Sequence, residues 1–186
     1  MSLKDKEKWN SKYEVDEYIT GKEPSHWLKD NAGLLAKSGK ALDIAGGEGR
    51  NSVFVASKGY EVTCLDISEN GLRKAQALAQ EKNAAITTVL ADLDSNSLKE
   101  NEYDLILCFN FLERSLFSGI HQALKPGGLL FYETFTVDYL KYSNFKKEWV
   151  LEANELLQAF SGFRVLRYQE VDDNPKAFAS LVAQKP

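Results

Sequence analysis

The chain has 186 residues, with 23 Lys and Arg against 27 Asp and Glu, for a formal charge of −4. Its 44% hydrophobic and 27% charged residues exclude a disordered or fibrous chain, and its length fits one domain, residues 1–186, able to bury its own core. No run approaches the roughly 18 apolar residues of a membrane span, the opening Met-Ser-Leu-Lys-Asp-Lys-Glu-Lys has no apolar secretory core, and an acidic chain without a basic cluster is poorly suited to binding a phosphate backbone.

In chain order, residues 1–38 form an amino-terminal segment of helical character carrying the aromatic residues Trp9, Tyr13, Tyr18 and Trp27. Residues 39–186 then alternate short β-rich runs with runs of helical period. Lys40–Ala45 reads as a strand, Arg50–Lys58 as a helix and Tyr60–Asp66 as a second strand. Glu69–Lys82 places Leu72, Ala75, Leu78 and Ala79 on one helical face, and Ile86–Ala91 is a third strand. Tyr103–Phe109 is apolar almost throughout, as a strand covered on both faces should be. Ser115–Leu124 is a helix, Leu129–Phe135 a fifth strand, Leu151–Phe160 a helix, and Phe163–Gln169 and Phe178–Gln184 the last strands. Only the turn-forming run Val171–Lys176 separates that last pair, which predicts a hairpin with one antiparallel strand. The order predicts an α/β fold: a doubly wound, mostly parallel, seven-stranded Rossmann-like sheet with helices on both faces and a C-terminal antiparallel hairpin.

Asp43-Ile44-Ala45-Gly46-Gly47-Glu48-Gly49-Arg50-Asn51 lies between the first strand and its helix. Glycines there permit a tight turn and close approach of a ligand at the carboxyl ends of the strands. Neither frame of a dinucleotide G-x-G-x-x-G fits, because Ser52 or Glu48 falls where glycine is needed, and no P-loop lysine follows. These misfits count against a nicotinamide dehydrogenase and against a bound nucleoside triphosphate. Asp66 ends the second strand, 19 residues beyond Gly47, where a carboxylate can accept from both hydroxyls of a ribose. Ile67 can cover an adenine face, and Asp92, after the third strand, can accept from an adenine amino group. Two cysteines and two histidines, all far apart, offer no metal-ligand spacing and little material for a Ser–His or Cys–His apparatus. Cys64 and Cys108 read as small core residues in a reducing, cytoplasmic compartment.

With these residues in place, the chain from Ala41 onward resembles the class I S-adenosylmethionine-dependent methyltransferases. The resemblance rests on Asp43-x-Ala45-x-Gly47-x-Gly49, with Ala45 where the family has its first glycine, on Lys125-Pro126-Gly127-Gly128 before the fifth strand, and on the closing hairpin. Gly49-Arg50-Asn51-Ser52, the Gly59–Thr63 run and the short length are similar to small bacterial members of the tellurite-resistance and thiopurine type. The resemblance implies S-adenosyl-L-methionine as cofactor, held by Asp43, Ala45, Gly46, Gly47, Gly49, Arg50, Asn51, Asp66, Ile67, Asp92, Leu93 and Asn110. Asp43 would approach the methionine amino group, Gly47 and Gly49 would admit methionine and ribose to the backbone, Leu93 would lie at the adenine and Asn110 near the sulfonium.

It also implies methyl transfer to a small-molecule acceptor by in-line displacement, a reaction that needs alignment and exclusion of water more than a dedicated base. The alternatives are a methyltransferase for protein or nucleic acid, or a silent cofactor-binding regulatory module. The catalytic residue is left open among Tyr13, His26, Asn110, Arg114 and Glu133. Trp9 and Tyr13, at i and i+4, read as an aromatic lid or, more simply, as packing of the first helix; Arg114 as a holder of an anionic acceptor or half of a surface salt bridge; His26 as a base or a surface residue; His121 as solvated. Expected partners are a small-molecule acceptor, with neither membrane nor nucleic acid.

Overall fold

The computed structural model describes residues 3–93 and 98–186, which form two compact units, Met1–Ser97 and Leu98–Pro186. Met1 and Ser2, at the head of the expected amino-terminal segment, lie outside the described residues.

The first unit begins with two short helices, α1 (Leu3–Lys12) and α2 (His26–Asp30), and a 3₁₀ turn at Ala32–Leu34. It continues through β1 (Gly39–Ile44), α3 (Arg50–Ala56), β2 (Tyr60–Asp66), α4 (Glu69–Glu81) and β3 (Ile86–Leu90). The three strands are parallel in the order β3-β2-β1, with Ala41 opposite Val62 and Val62 opposite Ile86. Ala41 through Ile44 are all buried without alternation, as a strand covered on both faces requires. The predicted helix face holds, for Leu72, Ala75, Leu78 and Ala79 are all buried on α4. Ser68 caps that helix by accepting from the Gly71 N–H at 3.1 Å.

The second unit contains β4 (Tyr103–Phe109), α5 (Leu116–Ala123), β5 (Leu124–Phe135), 3₁₀ turns at Val137–Lys141 and Lys147–Trp149, α6 (Glu155–Ala159), β6 (Arg164–Asp173) and β7 (Lys176–Gln184). Its strands run β4-β5-β7-β6; β4 and β5 are parallel, and β7 is antiparallel to both its neighbours. The chain therefore has the doubly wound, mostly parallel, seven-stranded architecture closed by an antiparallel hairpin.

The expected turn run Val171–Lys176 shrinks to Asn174 and Pro175, because β6 pairs with β7 as far as Asp173 opposite Lys176, and three further expectations change. The strand expected to begin at Leu129 begins at Leu124, because Leu124 pairs with Tyr103; the ladder resumes only at Leu129 opposite Leu105, so Lys125–Gly128 bulges out of it. The helix expected over Leu151–Phe160 shrinks to Glu155–Ala159. Leu151 is extended instead, bonding Phe135 and Val137 through its backbone, and its burial comes from that bridge. His121, expected in solvent, is half-buried, stacked on Phe160 at 5.5 Å and edge-on to Phe163 at 4.3 Å.

Candidate cofactor site

The glycine turn spans the gap between β1 and α3. Ala45 leaves the strand at φ +54, so the residue standing for the family's first glycine adopts the left-handed conformation that glycine favours. Gly46 donates to the Leu65 carbonyl at 3.0 Å and Gly49 to the Gly46 carbonyl at 2.9 Å, which ties the turn to β2 and closes it on itself. A Cβ on Gly46 would lie 2.6 Å from Cys64 Sγ and 3.0 Å from Asp43 Oδ2. One on Gly49 would meet the Ala75 Cβ at 2.6 Å, and one on Gly47 the Tyr13 hydroxyl at 2.7 Å. The protein's own packing thus already requires glycine at all three positions.

Asp66, buried at the end of β2, accepts from the Gly47 N–H through Oδ2 and from the Ser68 N–H through Oδ1, both at 2.8 Å. Burial pushes its carboxyl up, and the main-chain donors of Ser68, Gly47 and Ile67 pull the other way. The two carboxylate oxygens together have about four acceptor positions, so after these main-chain N–H groups the carboxylate still has acceptor capacity for a ligand hydroxyl. Ile67 and Leu93 are buried and Asp92 is half-buried. The Ala91 N–H donates to the Asp66 carbonyl at 3.0 Å, which brings the Asp92-Leu93 pair alongside the end of β2. Residues 94–97, immediately beyond, lie outside the described residues.

Asp43 is fully enclosed. Its Oδ2 accepts from Ser52 Oγ at 2.7 Å, and burial raises its carboxyl to about 7, with Asp66 adding to the rise and Ser52 and Arg50 opposing it. It sits beneath Gly46 and fastens the turn to the start of α3. Arg50 and Asn51 are occupied by the amino-terminal segment: Arg50 Nη1 donates to the Thr20 carbonyl at 2.8 Å, and Asn51 Oδ1 accepts from the Ser25 N–H at 2.8 Å.

Glu48 and Lys74 are the residues that sequence reasoning passed over. Glu48 is buried, and its carboxylate accepts from the Ile19 and Thr20 N–H groups, from Thr20 Oγ1 and from Lys74 Nζ, the last at 2.9 Å. Lys74 Nζ also donates to the Glu17 carbonyl at 2.6 Å. A signal was present, because Lys74 interrupts the apolar face of α4 and Glu48 stands between two glycines of a buried turn.

The remaining candidates are placed as follows. Trp9 stacks on Tyr13 at 5.5 Å, and Tyr13 is 6% exposed, wedged between Gly47 and Gly71. Burial pushes its phenol up, with Asp66 and Glu48 adding to the rise, so it stays neutral. His26 is exposed at the first position of α2. Asn110 ends β4 at φ +56, donating its N–H to the Glu133 carbonyl at 2.8 Å. The Glu133 carboxylate accepts from Ser180 Oγ at 2.7 Å, across to β7. Arg114 has a structural task in place of the anion-holding one: its guanidinium grips Glu155 at 2.6 and 2.9 Å and caps the Glu148 and Val150 carbonyls. Among the described residues there is no cluster of three or more His, Cys, Asp or Glu that could hold a metal, and no helix long and apolar enough to cross a membrane.

A glycine turn leads from the first strand to its helix, an acid ends the second strand and an antiparallel hairpin closes the chain, and residues 41–128 match the profile of a methyltransferase-domain family. The chain is 29% identical over 169 residues to the probable S-adenosyl-L-methionine-dependent methyltransferase TehB of Haemophilus influenzae (strain 10810), an alignment covering 78% of this chain and 57% of that protein. It is 30% identical over 130 residues to the ubiquinone biosynthesis O-methyltransferase of Photorhabdus laumondii, covering 67% of this chain and 50% of the other. The chain thus spans about half the length of these relatives. The crystal structure of Haemophilus influenzae TehB superposes with a TM-score of 0.73 and 24% identity, over 97% of this chain and 67% of that one, and shares its fold.

Proposed function

We propose that this chain transfers the methyl group of S-adenosylmethionine to a small-molecule nucleophile. The observation that carries the reading is Asp66, a buried strand-end carboxylate fixed by the N–H of the glycine turn, with acceptor capacity left for a ribose hydroxyl. When bound, the cofactor supplies an electrophilic methyl group on a sulfonium, which an acceptor atom displaces in line. In this reading Asp66 binds the ribose, Ile67 and Leu93 flank the adenine with Asp92 at its amino group, and the glycine turn carries the methionine portion. Asp43 acts from beneath the turn, holding its shape and drawing the methionine ammonium by charge.

The small-molecule reading draws on two observations. The ubiquinone biosynthesis relatives are named as O-methyltransferases, and a net charge of −4 disfavours a polyanionic acceptor. Two buried, free cysteines support a reducing, cytoplasmic setting.

Calorimetric titration of cofactor-stripped protein tests the reading. Micromolar binding of S-adenosylmethionine and S-adenosylhomocysteine is expected, with no binding of NAD, and Asp66→Ala should weaken it at least about tenfold, as loss of a charge-assisted hydrogen-bonding pair should. Unchanged affinity in folded Asp66→Ala refutes the ribose assignment. Methyl transfer to any small acceptor separates an enzyme from a silent binding module.

A further inference from the structure

The segment between α1 and α2 crosses the glycine turn as a strap. Tyr13 and Tyr18 pack onto the body, but the stretch around them is exposed: Val15 is 46% and Ile19 48% exposed, and Glu14, Asp16 and Glu17 face solvent. Polar bonds fasten it at two points. Near its start, Asn10 Oδ1 accepts from Ser68 Oγ at 2.7 Å, beside the end of β2. Near its end, both oxygens of Glu48 are used: Oε1 accepts from the Ile19 N–H and Lys74, and Oε2 from the N–H and hydroxyl of Thr20, at 2.9 to 3.2 Å. The turn residue therefore spends its whole acceptor capacity outside the turn. Between the two fastenings, Tyr13 is pressed onto Gly47, whose N–H holds Asp66.

A buried ion pair is a poor device for stability alone, because desolvation offsets much of its attraction, but its directional bonds set register where apolar contacts would allow sliding. With Val15 and Ile19 exposed, the end of the strap at Ile19 and Thr20 depends on these bonds to stay closed.

We propose that Glu48 is a positioning residue for the cofactor: it latches the 13–20 strap over the glycine turn, and closure of that strap is coupled to binding of S-adenosylmethionine. The latch acts through Tyr13 on Gly47 and, through the Gly47 N–H, on Asp66. It rests on the reading of Asp66 and the turn as the cofactor site. Opening the strap lowers the fraction of molecules competent to bind, and apparent affinity falls in proportion.

The test uses the full chain and S-adenosylmethionine itself. Glu48→Gln keeps the side-chain volume and removes the charge that Lys74 and three further donors share; calorimetry should show binding weakened about tenfold. Hydrogen exchange at the Ile19 and Thr20 amides should quicken in the free protein and slow on adding cofactor. Tyr13→Phe should cost affinity in the wild type and markedly less in the Glu48→Gln background, a non-additivity that a purely structural role would not produce. Should Glu48→Gln fail to fold, Thr20→Val, which removes one hydroxyl from the latch, decides the matter with an expected loss of about threefold. Wild-type affinity in a folded latch variant, or independent effects of Glu48→Gln and Tyr13→Phe, overturns the proposal. Asp66→Ala is the control. If it is impaired while the latch variants bind normally, the latch alone fails; if it binds like the wild type, the site reading fails and the latch falls with it.

Discussion

At Ala45, backbone conformation matters more than side-chain size. Its departure from glycine reads in the sequence as a small change, because alanine is the next smallest residue, yet the structure holds it at φ +54, where a Cβ is disfavoured. Ala45→Gly should therefore raise stability by about 0.5–1 kcal/mol, a gain that denaturant unfolding can measure. Asp43 illustrates the other residue-scale effect. A carboxyl whose folded value is about 7, against 3.8 unperturbed, binds its proton more tightly in the native than in the unfolded state. Its contribution to stability is then complete below about pH 4 and is lost as pH rises through 7. Asp66, also raised by burial, acts in the same direction. Asp43→Asn, which can still accept from Ser52, should flatten that slope and leave the variant more stable than wild type at pH 8.5 by about 1–4 kcal/mol, with little difference at pH 4. Unfolding curves at the two pH values check this. In the other direction, a bound methionine ammonium favours the ionised form, so cofactor binding should release a proton near pH 7, visible as a dependence of binding enthalpy on buffer ionisation.

At the scale of elements, the glycines of the turn have a second reason to be glycine. The Gly49 position is the seat of α4, whose Ala75 occupies the space a side chain would need, and its φ of +82 adds a conformational demand. Gly49→Ala should destabilise the protein by about 2–4 kcal/mol through both effects, seen as a lowered melting temperature. In the second unit, α6 is five residues long and would be marginal alone. Arg114 ties it down, gripping Glu155 and capping the carbonyls of the preceding turn. Arg114→Ala should loosen that region, with faster hydrogen exchange over residues 147–160 and a stability loss of about 1–2 kcal/mol; the guanidinium is partly exposed, which keeps the figure low. An Arg114→Ala variant with unchanged exchange there would show that the fork contributes nothing.

At the scale of the whole molecule, the alternation of β-rich and helical-period runs carried the architecture, because strands buried on both faces and helices with one apolar stripe leave periodicities that survive in one dimension. That the glycine turn, Asp66 and the Asp92-Leu93 pair follow or end strands was legible for a related reason, since the order of elements alone places them there. Element lengths were legible where pattern and burial agree, as on α4, and illegible where a long-range pairing decides, as with Leu124 opposite Tyr103 or Leu151 beside Phe135. The tasks of polar side chains were the least legible part. Arg114, Asn51 and Arg50 look from the sequence like groups aimed at a ligand, and their partners, Glu155, Ser25 and Thr20, are 41, 26 and 30 residues away along the chain. Glu48 drew notice only as a residue that spoils a dinucleotide motif, and its bonds to Thr20 and Lys74 span 28 and 26 residues. By itself, then, the sequence determined the fold class, the family resemblance and the ends of the strands where a cofactor would lie, since these follow from local pattern and order. Only the tertiary structure decided which charged and amide side chains are committed to the protein itself, because hydrogen-bond partners are chosen by position in space and a buried polar group must find one wherever the fold brings it.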